Sequence, residues 1–512
     1  MTLTDRIAKA VTAPRTDDDF DVHAELTEVL AGIGMSPADT GGQVRFPGAD
    51  PVVPSTLRLG GAAAITLAAK SAAIARLWRL RGGEGQDIEV DLRTAPHRLC
   101  PFYDRKWELL NGYPGAGDPN QAFGFRFYPT ADDRWVMPLN LYPKIKAGAQ
   151  RLLGVPEDSE AVAAATGRWN ARDLEEAGAE AGVVMPMLRS AEEVLTEPQH
   201  TEHFAEMPLV EIERIGDAEP EAPAPGVEQP LSGVRALGMG HVIAGAGTGR
   251  ALALHGADVL NLWRPGEFEH EGAYMSANVG VRSATIDPRE HRHAVAELLA
   301  GADVFYANRR PGYLDEIGLS PAEAAELRPG IVHATTTLNG ERGPWADRVG
   351  FDQTAGSLVG MMNLEGDGTR PMLPPILVVN DYIVSWLLTA GITAALTRRA
   401  TEGGSWRVHV SLTRAALWIL SLGVFDRSYA FEVAGRGEQH AYLDPETFTA
   451  DTPLGRYQGV TDQVRMTATP GHYRDVLLPR GSSRPQWLRP RDPSRTAGGS
   501  GPERPRRRGR AK

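Results

Sequence analysis

Short apolar runs alternate with helical periodicity through the second half of this 512-residue chain. The run VRALGM is followed by a glycine-rich turn, AGAGTG (Ala244–Gly249), and then by RALALHGA, which reads as a helix closed by Gly256. DVLNLW is the next strand-like run and ends at Arg264. AVAELLAGA reads as helix and DVFYANRRPG as strand and loop. PAEAAELRPG is a helix entered by proline and left by glycine, and IVHATTT is a β-branched strand. This alternation predicts an α/β fold, a doubly wound parallel sheet of Rossmann-like type with helices on both faces. The longest uncharged apolar stretch, Tyr382–Thr397, is shorter than the ~20 residues that span a bilayer, so it predicts a buried helix and no membrane partner.

The pattern also echoes itself. A shift of 320 residues lays Gly61–Leu92 on Asp381–Leu412 without a gap. Each copy is a long Ala/Leu-rich helix, an arginine (Arg79, Arg399), a glycine (Gly83, Gly403) and a strand, which reads as an ancient duplication. Between the copies, IGDAEPEAPAPGVEQP (215–230) has linker composition, semi-extended and without apolar periodicity. The organisation expected is a helical lead-in and loop over 1–54, a first part over 55–214, the linker, a second part over 231–478, and a tail over 479–512.

Charge changes the picture at the C-terminal end. The net charge is −11, yet Arg480–Lys512 carries eleven Arg/Lys and two Asp/Glu, leaving −20 on the rest. An acidic body argues against nucleic acid as the main partner. The tail, rich in Pro, Gly, Ser and Arg, is expected to be disordered. A single cysteine, Cys100, excludes an intramolecular disulfide and a cysteine-based zinc cluster. The opening MTLTDRIAKAV is not a secretory signal, so a cytoplasmic location is expected.

Among candidate chemistries, Gly245, Gly247 and Gly249 sit where a dinucleotide-binding loop sits, between strand and helix. Arg264 then stands where an NAD enzyme carries an acid, which keeps an NADP-dependent oxidoreductase as one reading. Arginines recur at expected strand ends (Arg264, Arg282, Arg309, Arg310) and suit a ligand with several phosphates. Asp381 lies between PILVVN and YIVSWLLTAGI with few charged neighbours. Burial would raise its pKa and mark a functional site, and a plain helix cap is the alternative. The histidines His241, His255, His270 and His333 lack metal-ligand spacing, and there is no G-x-S-x-G, P-loop or HExxH.

In order, LSGVRALGMGHVIAGAGTGRALALHGADVLNLWRPG, NVGVRSATID, ADVFYANRRPGYLDEIGLS, RPGIVHATTTLNGERGPWADRVGFDQTAGSLVGMM and the Asp381 stretch resemble the class III CoA-transferase family, the carnitine and bile-acid type. RGGEGQDIEVDLRTA, FGFRFYPTADDRWVMP and GRWNARDLEEAGAEAGVVMPMLRSAEEVLTEPQH resemble the later portion of the same family unit. The order implies a tandem or permuted member with a smaller α+β domain. The resemblance implies Asp381 as the nucleophile that exchanges acyl groups between coenzyme A and carboxylic acids. No cofactor would be bound permanently, no metal is implied, and coenzyme A would serve as a co-substrate. It implies His241, Val242, Ala244, Gly245, Arg264, Arg282, Asn308 and Arg310 as coenzyme A contacts. Gly61 stands where Asp381 stands in the other copy, so one centre per chain is expected, in a homodimer or an intrachain pseudo-dimer. An acyl-CoA racemase would place a histidine where Phe351 stands, and a non-catalytic CoA-binding partner is the remaining alternative.

Overall fold

In the computed structural model, which describes residues 1–115, 117 and 121–488, seven strands build the main sheet. They are β1 (Glu211–Gly216), β2 (Arg235–Met239), β3 (Asp258–Trp263), β4 (Arg282–Thr285), β5 (Val304–Ala307), β6 (Val332–Thr337) and β7 (Ser405–Ser411). Their spatial order is β1–β7–β6–β5–β2–β3–β4. β2 to β7 are parallel, and β1 pairs antiparallel with β7 at the edge. Alternate side chains leave opposite faces of a strand. Ala236, Val259 and Val304 enter one core, while Leu237, Leu260 and Phe305 enter another beneath helix Arg292–Ala300. The result is a mixed α/β fold with a parallel-dominated sheet.

Five helices matter for the site: α1 (Leu59–Leu80), α2 (Pro143–Leu153), α3 (Ala246–Leu254), α4 (Asp352–Val359) and α5 (Asn380–Glu402). The apolar run at Tyr382–Thr397 is indeed the middle of a buried helix, α5. Its neighbour along most of its length is α1, equally buried and built largely of alanine, so the two halves of the internal echo pack directly on each other. The strand after α1, Gln86–Glu89, joins a separate three-stranded sheet between Gly41–Arg45 and Arg465–Met466. A smaller core of Phe123, Val136, Met137, Leu139 and Leu153 lies over residues 122–188 and takes in Met362 from the second part.

Ile215 and Gly216 belong to β1, and the rest of the 215–230 segment is strapped down. The guanidinium of Arg81 donates to the carbonyls of Ala224, Pro230 and Ser232 at 2.8, 2.6 and 2.9 Å. Residues 479–488 are held against the sheet. There Ser483 N–H donates to Ser283 O (2.8 Å), Trp487 Nε1 to Leu298 O (3.0 Å) and Leu488 N–H to Asp258 Oδ2 (3.0 Å), so this stretch lies along the β4 edge. The basic remainder, 489–512, lies outside the described residues. No helix among the described residues is long and apolar enough to cross a membrane.

Candidate active site

A cavity of about 750 Å³ opens at the carboxyl ends of β2, β3, β5 and β6. In open parallel sheets that edge is where ligands bind, because loops and helix N-termini converge there. Both parts of the chain line it. Tyr142, Lys144, Ile145 and Val184 come from the first, and His241, Val242, Ala244, Arg264, Asn308, Arg310, Phe351 and Asp381 from the second. Six cationic side chains (Lys144, Arg264, Arg289, Arg309, Arg310, Arg348) face three carboxylates (Glu267, Glu316, Asp381), a balance that favours an anionic ligand.

The turn after β2 is clamped by two asparagines. Asn261 Oδ1 accepts Gly240 N–H at 2.8 Å and its Nδ2 donates to Gly240 O at 3.1 Å. Asn308 does the same for His241, with 2.8 Å to the N–H and 2.9 Å to the carbonyl. The turn then runs through Val242 in the left-handed region (φ 55°), an uncommon place for a β-branched residue. Ser385 of α5 donates to Ala244 O at 2.8 Å and anchors the exit of the turn.

Three glycines, Gly245 at the end of the turn and Gly247 and Gly249 inside α3, are consumed by packing. A Cβ at Gly245 would lie 2.3 Å from Asn308 Oδ1, one at Gly247 2.7 Å from Ser385 Oγ, and one at Gly249 2.3 Å from the Tyr306 hydroxyl. The missing Cβ of Gly245 is the space that Asn308 occupies, and Gly245 itself is not among the residues that line the cavity. Arg282 lies elsewhere. It is the first residue of β4, at the amino end of the sheet, where it pairs with Asp258 (2.8 Å) and donates to Gln486 O (3.0 Å). It does not line the cavity.

The remaining cations form a rim. Arg264 and Arg309 both pair with Glu267, at 2.7 and 2.6 Å, and with Arg289 they surround the Tyr313 ring. His241 Nε2 lies 2.9 Å from the same Glu267 carboxylate. Burial works against ionisation of Glu267, yet the His241 ring and Arg309 hold its carboxyl far below the usual range. Arg310 lines the cavity without an ion pair among the described residues and reaches toward Gly182 of the first part.

Asp381 stands in the first turn of α5, only 5% exposed, and makes no salt bridge among the described residues. Its N–H donates to Asp352 Oδ2 at 2.8 Å. Asp352 also accepts the N–H groups of Val379 and Asn380, so one buried carboxylate from α4 closes the start of α5. Burial, and after it the Asp352 charge, pushes the Asp381 carboxyl well above its ordinary value. Asp352 is itself raised by burial, opposed by the N–H groups it accepts. A carboxylate of raised pKa in a dry pocket is a better nucleophile once ionised. Asp352, Tyr142, Glu267 and Glu269 are site residues that sequence reading missed. Only Asp352 left a trace there, as an acid directly after Phe351 at a helix start.

Residues 231–452 match the family model described as CoA-transferase family III. The succinyl-CoA–L-malate CoA-transferase alpha subunit of Chloroflexus aurantiacus is 30% identical over 261 residues, 45% of this chain and 57% of that protein. The succinyl-CoA:glutarate CoA-transferase of Mus musculus is 31% identical over 190 residues, 34% and 43% of the two chains. A solved CAIB/BAIF family protein from Brucella suis is similar at 25% identity and a TM-score of 0.35, covering 44% of this chain and 65% of that one. The chain thus spans about half the length of the curated relatives it matches.

Proposed function

We propose, from the premise that this chain belongs to CoA-transferase family III through residues 231–452, that it moves coenzyme A from an acyl-CoA thioester to a free carboxylic acid with Asp381 as nucleophile. An Asp381 oxygen attacks the thioester carbonyl, the C–S bond breaks, and coenzyme A leaves as the thiolate. The product is a mixed anhydride between the acyl group and Asp381. The thiolate then attacks the aspartyl carbonyl, expels the acyl carboxylate and leaves an aspartyl-CoA thioester. The acceptor carboxylate runs the two steps in reverse and departs as the new thioester. Covalent catalysis here splits one difficult transfer into successive, easier acyl exchanges.

The observation that carries this reading is the buried, unpaired Asp381 carboxyl in the wall of a cavity whose rim is rich in arginine. Arg264, Arg309 and Arg310 suit the phosphates of the nucleotide. The strand order supports a doubly wound, Rossmann-like arrangement with the ligand at the β2/β5 switch point. His241, the obvious base for a racemase, is engaged by Glu267 and Glu269, and Phe351 supplies no proton, so transfer is the better reading.

The test is intact-mass spectrometry after mixing with acyl-CoAs, with hydroxylamine or borohydride trapping and peptide mapping. Succinyl-CoA, with malate and glutarate as acceptors, is the first set to try, after the relatives' names. An adduct confined to the Asp381 peptide, abolished in Asp381→Ala and Asp381→Asn, is expected. Full transfer by either variant would overturn the mechanism.

A further inference from the structure

Three groups unused by that chemistry meet beside the cavity, two of them in its lining: the Tyr142 phenol, the Glu269 carboxylate and the Val242 peptide. Tyr142 belongs to the first part of the chain, immediately before α2, whereas Glu269 follows β3 and Val242 follows β2. The Tyr142 O–H donates to Glu269 Oε1 at 2.5 Å, and Glu269 Oε2 accepts Val242 N–H at 2.8 Å. Glu269 Oε1 also accepts His270 N–H at 2.9 Å, and the Glu269 side chain is 2% exposed. The Tyr142 ring lies flat on Phe351, with centroids 5.6 Å apart at 11°, and meets Phe268 edge-on. Phe351 precedes Asp352, the cap of the Asp381 helix. One tyrosine thus joins the first part both to the turn after β2 and to the support of Asp381.

We propose that the Tyr142–Glu269 hydrogen bond is a clasp that holds the first part closed beside Asp381 and keeps water from the covalent intermediates. This inference rests on Asp381 being the nucleophile. Both intermediates are activated acyl groups. If water reaches the aspartyl-CoA thioester, its oxygen bonds to the aspartyl carbonyl carbon and the C–S bond breaks. Coenzyme A departs as thiolate and takes one of the water's protons. Asp381 is regenerated with the other proton released, and no acceptor has been converted. Transfer wins only where acceptor capture outruns this reaction.

The wall that Tyr142 anchors faces the cavity with Ile145 and Val184, beside the cationic Lys144. A carboxylate as buried as Glu269 needs donors on each oxygen, and Tyr142 is the one supplied by the first part. Val242 is held in its unusual conformation by the other oxygen of the same carboxylate, so the clasp and the turn are set together.

The experiment measures the ratio of coenzyme A released without acceptor to thioester formed on the acceptor. It compares the full chain with Tyr142→Phe, Glu269→Gln and the double variant. Phenylalanine keeps the stack on Phe351 and removes only the O–H. Glutamine keeps the volume but has one acceptor oxygen and fails to serve both Tyr142 and Val242. Each single variant is expected to raise the hydrolysis-to-transfer ratio by roughly tenfold, the scale of losing one hydrogen bond to a charged group. The double variant should be no worse than the larger single effect, because both break one contact. An unchanged ratio in both single variants, with the Asp381 adduct still formed, overturns the clasp and leaves the nucleophile standing. So does an equal loss of both reactions, which marks a purely structural role. An absent adduct in the unaltered protein overturns the nucleophile instead.

Discussion

At the scale of single residues, two acids of the same kind hold different tasks because of what surrounds them. Asp352 accepts three backbone N–H groups at the start of α5, while Asp381 receives no such donors among the described residues and faces the cavity. Removing the Asp352 charge should therefore act on Asp381. In Asp352→Asn the like charge is gone, so the Asp381 pKa falls toward its ordinary value. Ionised Asp381 is the attacking form, so adduct formation rises as pH rises through that pKa. The variant should show the same rise at lower pH, read from the rate of Asp381 labelling against pH. The amide also turns one acceptor into a donor against N–H groups, and stability should drop by about 1–3 kcal/mol in denaturant titration. Asp381 was legible in the sequence because an isolated acid inside an apolar run has few ways to be stable. Tyr142 was not legible, since its partner Glu269 lies 127 residues away and nothing local in LNLYPKI marks the contact.

At the scale of elements, α1 and α5 pack on each other and begin in the same way. The start of α1 is also closed by a buried carboxylate, Asp50, which accepts the N–H groups of Gly60 and Gly61 at 3.0 and 2.6 Å. Asp50 thus plays at α1 the part that Asp352 plays at α5, and the 320-residue shift sets Gly61 against Asp381. The space beside Gly61 is tight: a Cβ there would lie 3.1 Å from Asp50 Oδ2 and 3.4 Å from the Phe20 ring. Restoring the acid should therefore not restore a site. Gly61→Asp is expected to lose roughly 2–4 kcal/mol of stability by burying a second carboxyl beside Asp50. Trapping should still find one adduct per chain, on Asp381. A second adduct on the Gly61→Asp peptide would show that the first repeat retains a pocket. The strand and helix alternation was readable because each run keeps its own period. Which end of a strand an arginine occupies was not, and Arg282 fell at the wrong end because β4 begins one residue later than Val281.

At the scale of the whole molecule, the segment with linker composition does not separate two independent bodies. One hydrophobic core runs from Ile7 through α1 and α5 to Met466. Polar contacts cross it as well. The fully buried Lys70 pairs with Asp462, and the Ser55 hydroxyl donates to the buried Glu365 carboxylate. Composition reports how a segment behaves alone, whereas Arg81 and β1 decide how this one behaves here. The consequence is testable by cutting the chain. A protease site introduced between Ala222 and Pro225, followed by cleavage, removes the covalent link but none of the shared core. Apolar burial on this scale far exceeds the cost of holding two fragments together, which is ~4–15 kcal/mol. The nicked protein should run as one particle in gel filtration, unfold in a single transition and keep labelling Asp381. Tyr142 and Asp381 then lie on different fragments. Separation of the fragments with labelling intact would mean that the second part closes its own cavity and owes nothing to the first.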